Sequence, residues 1–176
     1  MRIRILQSKS PLLIVILFML QIGLANADEK NNVSKKAVVG YKVGQIAPEF
    51  TLKSLSGKAH SLSSLTKNGY AMLVFWAVEC VYCYAHVKDF NELHAKYFKK
   101  GLTIAAINIG AEYNDDVAEY VKDNNIKYLV LANRLDNLDV SEAYHSIVTP
   151  TIVLVSSKGR VVYYGNSLPK ITKFIK

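Results

Sequence analysis

Two cysteines, Cys80 and Cys83, are the residues of this sequence best suited to do chemistry. They stand two residues apart in the stretch WAVECVYC at 76–83, and the chain contains no other cysteine. Such a pair can exchange a disulfide with another protein, supply two ligands to a metal ion, or form a structural bridge. The spacing by itself leaves all three chemistries open.

The metal and structural alternatives each have requirements that the sequence can be tested against. A closed zinc site needs four ligands, and one CxxC pair supplies two. The histidines do not form the paired spacing of a zinc site; they are His60, His86, His94 and His145. Copper needs fewer ligands, so copper binding stays open, with His145 as a candidate neighbour. A structural bridge across so short a loop removes little entropy from the unfolded chain, which favours exchange chemistry.

The predicted elements place the pair where a strand is followed by a helix. The apolar run 71–76 predicts a central strand buried on both faces. Apolar residues at helical spacing predict a helix over 84–99, which Gly101 would end. Cys80 would then lie at the helix N-terminus, where N–H groups and the helix dipole stabilise a thiolate and lower its pKa. Cys83, one turn later, would be buried and would resolve a mixed disulfide.

The remaining pattern predicts an α/β architecture, with a hairpin before the central strand and alternating strands and helices after it. The early strands should be parallel, because helices cross between them, and the last two antiparallel. The expected strands are 50–52, 60–62, 102–109, 128–131, 152–155 and 161–164. The expected helices are 115–124, 141–144 and 168–175. The last helix would have Ser167 as its N-cap and Pro169 in its first turn.

Residues 1–27 have the pattern of a signal peptide or a membrane anchor. Three basic residues, Arg2, Arg4 and Lys9, precede an apolar stretch at 12–24 that is shorter than the ~20 residues needed to cross a bilayer. Ala25-Asn26-Ala27 then matches the small-x-small cleavage pattern. Both interpretations place the folded part outside the cytoplasm. We predict a flexible tether at 28–43 and a single domain at 44–176.

The net charge of +8 does not indicate a nucleic-acid partner. The lysines are scattered along the chain, whereas a nucleic-acid footprint would show clustered Lys and Arg with interleaved aromatic residues. We therefore expect a solvated surface and no nucleic acid.

Three motifs in order resemble the thioredoxin-like superfamily, and specifically its exported TlpA/ResA/CcmG-type branch. They are WAVECVYC at 76–83, GQIAPEFTLKSLSGKAHSLSSL at 44–65 and IVTPTIVLVSSKGRV at 147–161. The resemblance implies a thioredoxin fold, with a central mixed sheet flanked by helices and an N-terminal β-hairpin extension. It also implies a cis Thr149–Pro150 peptide bond, which would leave the Thr149 backbone free to pair with an extended substrate. Trp76 and Tyr82 are the further candidates for substrate contact.

The sequence departs from the family pattern at positions that tune the cysteines. Glu79 replaces a tryptophan before Cys80, and its carboxylate should disfavour the thiolate and raise the Cys80 pKa. Val74 stands where classical thioredoxin has a buried acid, so no proton acceptor is available there. Lys88 replaces a helix-kinking proline.

Two further positions are candidates for tuning the pair. Val81 and Tyr82 lie between the cysteines, where the intervening dipeptide influences reactivity and potential, and neither is the usual proline. His86 lies one helical turn after Cys83, where it could stabilise a thiolate or carry a proton.

These observations predict an exported, periplasmic or otherwise extracytoplasmic, thiol–disulfide oxidoreductase. Its catalytic residues would be Cys80 as nucleophile and Cys83 as resolving cysteine, with no metal and no cofactor beyond their own redox-active disulfide. The resemblance favours a reductant of protein disulfides in cytochrome c maturation or metal-site cysteine reduction, recharged by a membrane redox partner. We also expect the protein to be a monomer. Contact with the membrane itself is expected only if the leader stays uncleaved.

Other functions remain open from the sequence. One is a thiol oxidase or isomerase of the DsbA/DsbC type, which would need a strongly depressed Cys80 pKa and a high potential. A second, of another class, is a copper-binding or redox-idle adaptor. A peroxidase is disfavoured because no Thr-x-x-Cys motif is present: Ala77 lies three residues before Cys80.

Overall fold

A computed structural model describes residues 37–132 and 134–176. The predicted leader at 1–27 and the first part of the predicted tether lie outside these residues. Within the described ranges, no helix is both long enough and apolar enough to cross a membrane.

The centre of the fold is a five-stranded mixed sheet. Its strands are β3 at Tyr70–Trp76, β4 at Leu102–Asn108, β5 at Leu129–Leu131, β6 at Thr151–Val155 and β7 at Val161–Gly165. They lie in the order β5-β4-β3-β6-β7. β3 pairs in parallel with β4 and antiparallel with β6, β4 pairs in parallel with β5, and β6 pairs antiparallel with β7. This confirms the predicted strand directions.

The central strand β3 is apolar throughout because helices cover both faces of the sheet. Met72, Val74 and Trp76 belong to one buried cluster, which also contains side chains of the helices α3 and α4. Leu73 and Phe75 alternate with them and belong to a second cluster, which contains side chains of α1 and α5. This two-sided burial explains the lack of polar alternation. The helices are α1 at Leu62–Thr66, α2 at Val81–Ala85, α3 at Val87–Tyr97, α4 at Asn114–Asp123 and α5 at Arg134–Ala143.

A short hairpin precedes the sheet and closes one of its edges. It consists of β1 at Thr51–Lys53 and β2 at Ala59–Ser61. Ser54 bridges to Leu131 of β5, so the hairpin occupies the outer edge of that strand. The structure describes residues 37–43 of the segment predicted as a tether. These residues are hydrogen-bonded to the domain, since the Gly40 N–H donates to the Ile46 carbonyl at 2.8 Å.

Four elements differ from the sequence-based predictions. The helix α1 was not predicted, and its first residue, Leu62, was assigned to a strand at 60–62. The helix expected over 84–99 is two helices, α2 and α3, separated at His86, whose backbone N–H bonds back to the Cys83 and Tyr84 carbonyls. The helix expected at 141–144 is the much longer α5. The helix expected at 168–175 is a single 3₁₀ turn at Ile171–Lys173.

The buried Tyr144 provides a test of the fold. Its hydroxyl donates to the Pro48 carbonyl at 2.7 Å, and this bond ties the segment before the hairpin to the end of α5. We expect Tyr144→Phe to lower the free energy of unfolding by about 1 kcal/mol, since a partly buried carbonyl loses its donor. Urea denaturation monitored by circular dichroism measures this. Tyr82→Phe, at an exposed tyrosine, is the control, and an equal effect of both variants would contradict the prediction.

Candidate active site

The cysteines lie directly beyond the C-terminal end of β3. Ala77, Val78 and Glu79 form a short loop, and Cys80 is then the N-cap residue of α2. Cys80 and Cys83 are joined by a disulfide, with their Cα atoms 5.2 Å apart. The bond therefore spans the first turn of the helix, as the strand-to-helix order in the sequence predicts.

The two sulfurs differ in exposure. Cys83 is 5% exposed and packs in the cluster between the sheet and α3, whereas Cys80 is only partly buried. The backbone N–H of Cys83 donates to Cys80 Sγ at 3.1 Å. An incoming thiolate or disulfide can therefore approach Cys80 far more easily than Cys83. The same N–H would stabilise a thiolate on Cys80 after reduction.

The loop before β6 lies beside the cysteine loop. Thr151 pairs with Phe75 in the antiparallel ladder, so Thr149 and Pro150 lie alongside the end of β3. The Thr149–Pro150 peptide bond is cis. Pro150 is buried and Thr149 is partly exposed, and the Pro150 carbonyl accepts a 2.8 Å bond from the Asn166 side chain.

Apolar side chains are exposed in both of these segments. Val81 and Tyr82, between the cysteines, are 75% and 76% exposed, and Ile147, in the loop before Pro150, is 78% exposed. Tyr84 and Val148 are exposed as well. An exposed apolar surface of this kind is typical of a site that contacts another protein.

Trp76, a sequence-based candidate for substrate contact, is almost entirely buried, with 4% of its surface exposed. Its ring packs against Tyr120 of α4, with the ring centroids 5.1 Å apart. The pKa of Tyr120 is raised by burial and, to a smaller extent, by the nearby Tyr84. The geometry of Trp76 is that of a support beneath the cysteine loop.

The candidate tuning residues have different surroundings. Glu79 and Val81 are exposed. His86 is partly buried, and its Nδ1 lies 3.0 Å from Asp89 Oδ2. This pairing holds the imidazole at the junction of α2 and α3, one turn beyond Cys83.

Sequence reasoning missed Glu112, which follows β4 in the next loop. Its Oε1 accepts a 2.7 Å hydrogen bond from the backbone N–H of Val78 in the cysteine loop. Its Oε2 accepts a 3.3 Å bond from the side-chain amide of Asn108. A usable signal was present in the sequence: β3 and β4 are parallel neighbours, so the loops after both strands meet at one edge of the sheet.

No group of three or more His, Cys, Asp and Glu side chains in 37–132 and 134–176 is arranged to hold a metal ion. His145, the candidate copper neighbour, instead stacks on Tyr41 with ring centroids 5.1 Å apart.

Comparison with known proteins identifies the family. The model described as the AhpC/TSA family matches residues 43–164. The chain belongs to the AhpC/TSA family. It is 31% identical over 147 residues to the thiol-disulfide oxidoreductase ResA of Geobacillus thermodenitrificans, covering 84% of this chain and 81% of that protein. The ResA of Geobacillus kaustophilus is also 31% identical, over 83% of this chain and 80% of its own length.

The AhpC/TSA assignment agrees with the fold. The crystal structure of the thioredoxin domain of a thiol-disulfide oxidoreductase from Bacteroides vulgatus superposes with a TM-score of 0.64, at 24% identity over 70% of this chain and 87% of that chain. The mixed sheet with its N-terminal hairpin is thus a thioredoxin fold. The similarity to the two ResA thiol-disulfide oxidoreductases, together with the family match and the disulfide that begins α2, makes this AhpC/TSA protein an enzyme of the thiol–disulfide oxidoreductase class.

The difference in exposure predicts a difference in thiol reactivity. In reduced protein, Cys83→Ser leaves Cys80 as the one thiol, and Cys80→Ser leaves Cys83. We expect the thiol of Cys83→Ser to react with iodoacetamide at least about tenfold faster, because a partly exposed thiol at a helix N-terminus is both accessible and activated. Mass spectrometry against time measures the rates. Equal rates would contradict the assignment of nucleophile and resolving residue.

Proposed function

We propose that the protein is an exported reductant of protein disulfides. The observation that carries the exchange chemistry is the unequal exposure of the two sulfurs at the start of α2. The resemblance to the TlpA/ResA/CcmG-type branch supports the direction of electron flow, from this protein to its partners. A disulfide that served only as a bridge would gain nothing from one accessible sulfur beside a surface of exposed apolar side chains.

The proposed reaction proceeds in two exchanges. The Cys80 thiolate attacks one sulfur of a partner's disulfide, which forms a mixed disulfide and releases the partner's other sulfur as a thiolate. Cys83 then loses its proton and attacks Cys80 Sγ, which forms the Cys80–Cys83 disulfide and releases the second partner sulfur. Two electrons pass from this protein to the partner, and the buried position of Cys83 places it within reach of Cys80 alone.

The proposed binding surface for the partner combines backbone and side chains. The partly exposed Thr149 lies alongside the end of β3 and offers its backbone to an extended partner segment. Tyr82, Val81 and Ile147 offer apolar contact on either side of the disulfide. Trp76 would act from beneath this surface, by supporting the loop.

The proposed cellular setting rests on the leader and on the relatives. The basic and apolar pattern at 1–27 indicates export, and proteins named ResA are the relatives reported above. In an oxidising compartment the dithiol must be regenerated, and a membrane redox protein would be the donor. Cytochrome c maturation and reduction of metal-site cysteines are the proposed pathways. The electron carrier is the cysteine pair itself, and a monomer is sufficient for this chemistry.

Trapping tests the proposed exchange. Cys83→Ser should accumulate a mixed disulfide between Cys80 and a disulfide-bonded partner, because the resolving step is removed. Full-length Cys83→Ser, expressed with its leader, is captured under alkylating conditions and separated on non-reducing gels. Cys80→Ser is the matched control and should trap nothing. Equal trapping by both variants, or tight Cys-dependent binding of Cu(I) without trapping, would contradict the proposal.

A second test concerns the exposed aromatic residue. Tyr82→Ser should slow reduction of a folded protein disulfide about five- to tenfold, since a contact at the centre of the binding surface is lost. Exchange with glutathione, which is too small to use that surface, should change less than about twofold. Insulin reduction and glutathione equilibration measure the two rates. Phe98→Ser, at an exposed residue just beyond α3, is the control, and equal loss in both assays would contradict partner contact.

A further inference from the structure

Glu112 joins two loops that the sequence separates by more than thirty residues. It lies between β4 and α4, and yet one carboxylate oxygen bonds to the Val78 N–H in the cysteine loop. Within the loop, the Val78 side chain packs against the buried cluster and the Cys80 N–H bonds to the Ala77 carbonyl at 3.1 Å. The Glu112 carboxylate adds a hydrogen bond from another loop to the backbone two residues before Cys80.

The position of Glu112 is itself supported by buried polar groups. Its second oxygen accepts from the side chain of Asn108, which is buried at the end of β4. The Asn108 carbonyl in turn accepts a 2.7 Å bond from the buried side-chain amide of Asn137 in α5. The same amide also donates to the Leu131 carbonyl at 3.0 Å. The carboxylate thus ends a polar chain that connects three elements to the cysteine loop.

Gly110 leaves the space that this arrangement needs. A Cβ atom at position 110 would overlap with the Glu112 carboxylate. The Gly110 backbone is not among the positive-φ glycines, so the need for glycine here comes from the carboxylate and not from the backbone conformation. The loop after β4 is therefore built around an inward-folded Glu112.

The carboxylate also brings a negative charge towards the nucleophile. Two residues of chain limit the Val78 and Cys80 Cα atoms to a separation of about 7 Å. With the 2.7 Å hydrogen bond to the Val78 N–H, the carboxylate oxygen lies within about 11 Å of the Cys80 Cα atom. The Debye length at physiological salt is about 8 Å, so the charge of this partly buried carboxylate is only partly screened at Cys80. A negative charge disfavours a second one on the Cys80 thiolate and leaves the neutral disulfide unaffected.

We propose that Glu112 is a positioning residue that holds the cysteine loop through Val78 and shifts the redox equilibrium of the Cys80–Cys83 pair towards the disulfide. This role rests on the exchange chemistry proposed above and makes the dithiol a stronger reductant. The equilibrium concerned is that of the disulfide plus two glutathione thiols with the dithiol plus one glutathione disulfide. Two electrons and two protons move to the protein, and fewer protons move where Cys80 is a thiolate.

Other ionisable groups around the loop are the same in every variant below. They are Glu79 within the loop, the His86–Asp89 pair at the junction of α2 and α3, and the hydroxyls of Tyr84 and Tyr120. Differences between the variants therefore report on Glu112.

The charge is tested with Glu112→Gln, which keeps an oxygen able to accept from Val78. We expect the glutathione equilibrium to move towards the dithiol by about two- to fivefold, with the larger shift under mildly alkaline conditions where the thiolate forms. Glu142→Gln removes the same charge from an exposed residue of α5, on the opposite face of the sheet from α3, and should cause no shift. Equal equilibria for these two variants would overturn the role of the charge.

The loop contact is tested with Gly110→Ala, which displaces the carboxylate but keeps the charge in the protein. We expect amide exchange at Val78, measured by NMR, to become at least about fivefold faster in Gly110→Ala and to change little in Glu112→Gln. Unchanged exchange at Val78 in Gly110→Ala would overturn the positioning role.

These outcomes are separable from the fate of the proposed function. A strongly oxidising wild-type pair would contradict the reductant proposal, and the difference between variants would still test Glu112. If the pair did not equilibrate with glutathione, the alkylation rate of Cys80 in the reduced proteins would test the effect of the Glu112 charge instead. At neutral pH this rate should be higher in Glu112→Gln than in Glu142→Gln.

Discussion

The hydrogen-bonding of β3 on both edges is the constraint on which the active site depends. Because β3 pairs with β4 on one side and β6 on the other, its neighbours determine what surrounds the cysteine loop. The parallel partner β4 ends at the same edge of the sheet and brings the loop with Glu112. The antiparallel partner β6 begins at that edge and brings Thr149 and Pro150. One pairing pattern thus brings together the disulfide, the backbone proposed to bind a partner and the carboxylate proposed to hold the cysteine loop.

Two sets of charges and dipoles around the disulfide have opposite effects on a thiolate at Cys80. The start of α2 and the Cys83 N–H favour a thiolate on Cys80, which is what a nucleophile needs. Glu79 in the loop, and Glu112 in the role proposed for it, disfavour that thiolate. A site with both influences can form a reactive thiolate without stabilising the dithiol, relative to the disulfide, so much that the dithiol no longer donates electrons. This balance is what a reductant in an oxidising compartment requires.

The sequence predicts the features that local pattern determines. The apolar run of β3, the strand-to-helix junction at Cys80 and the antiparallel final pair follow from hydrophobic periodicity. α5 was largely missed because its buried position 137 is an asparagine, which interrupts the apolar pattern. The segment 168–175 forms only a 3₁₀ turn at Ile171–Lys173. Two of its buried residues, Pro169 and Ile171, are two positions apart, a spacing that one face of an α-helix does not provide. The predicted parallel pairing of β3 with β4 places the loops after both strands at one edge of the sheet, but local pattern does not report that Glu112 is the side chain that bonds across to Val78.

The most direct test of the proposed reductant function is the equilibrium reduction potential of the Cys80–Cys83 pair in the wild-type protein, measured against glutathione. We predict a value close to the thioredoxin end of the known range, about −270 mV, because a dithiol that reduces partner disulfides must give up its electrons readily. A value near that of DsbA, about −120 mV, would contradict it and would assign the protein to the oxidants.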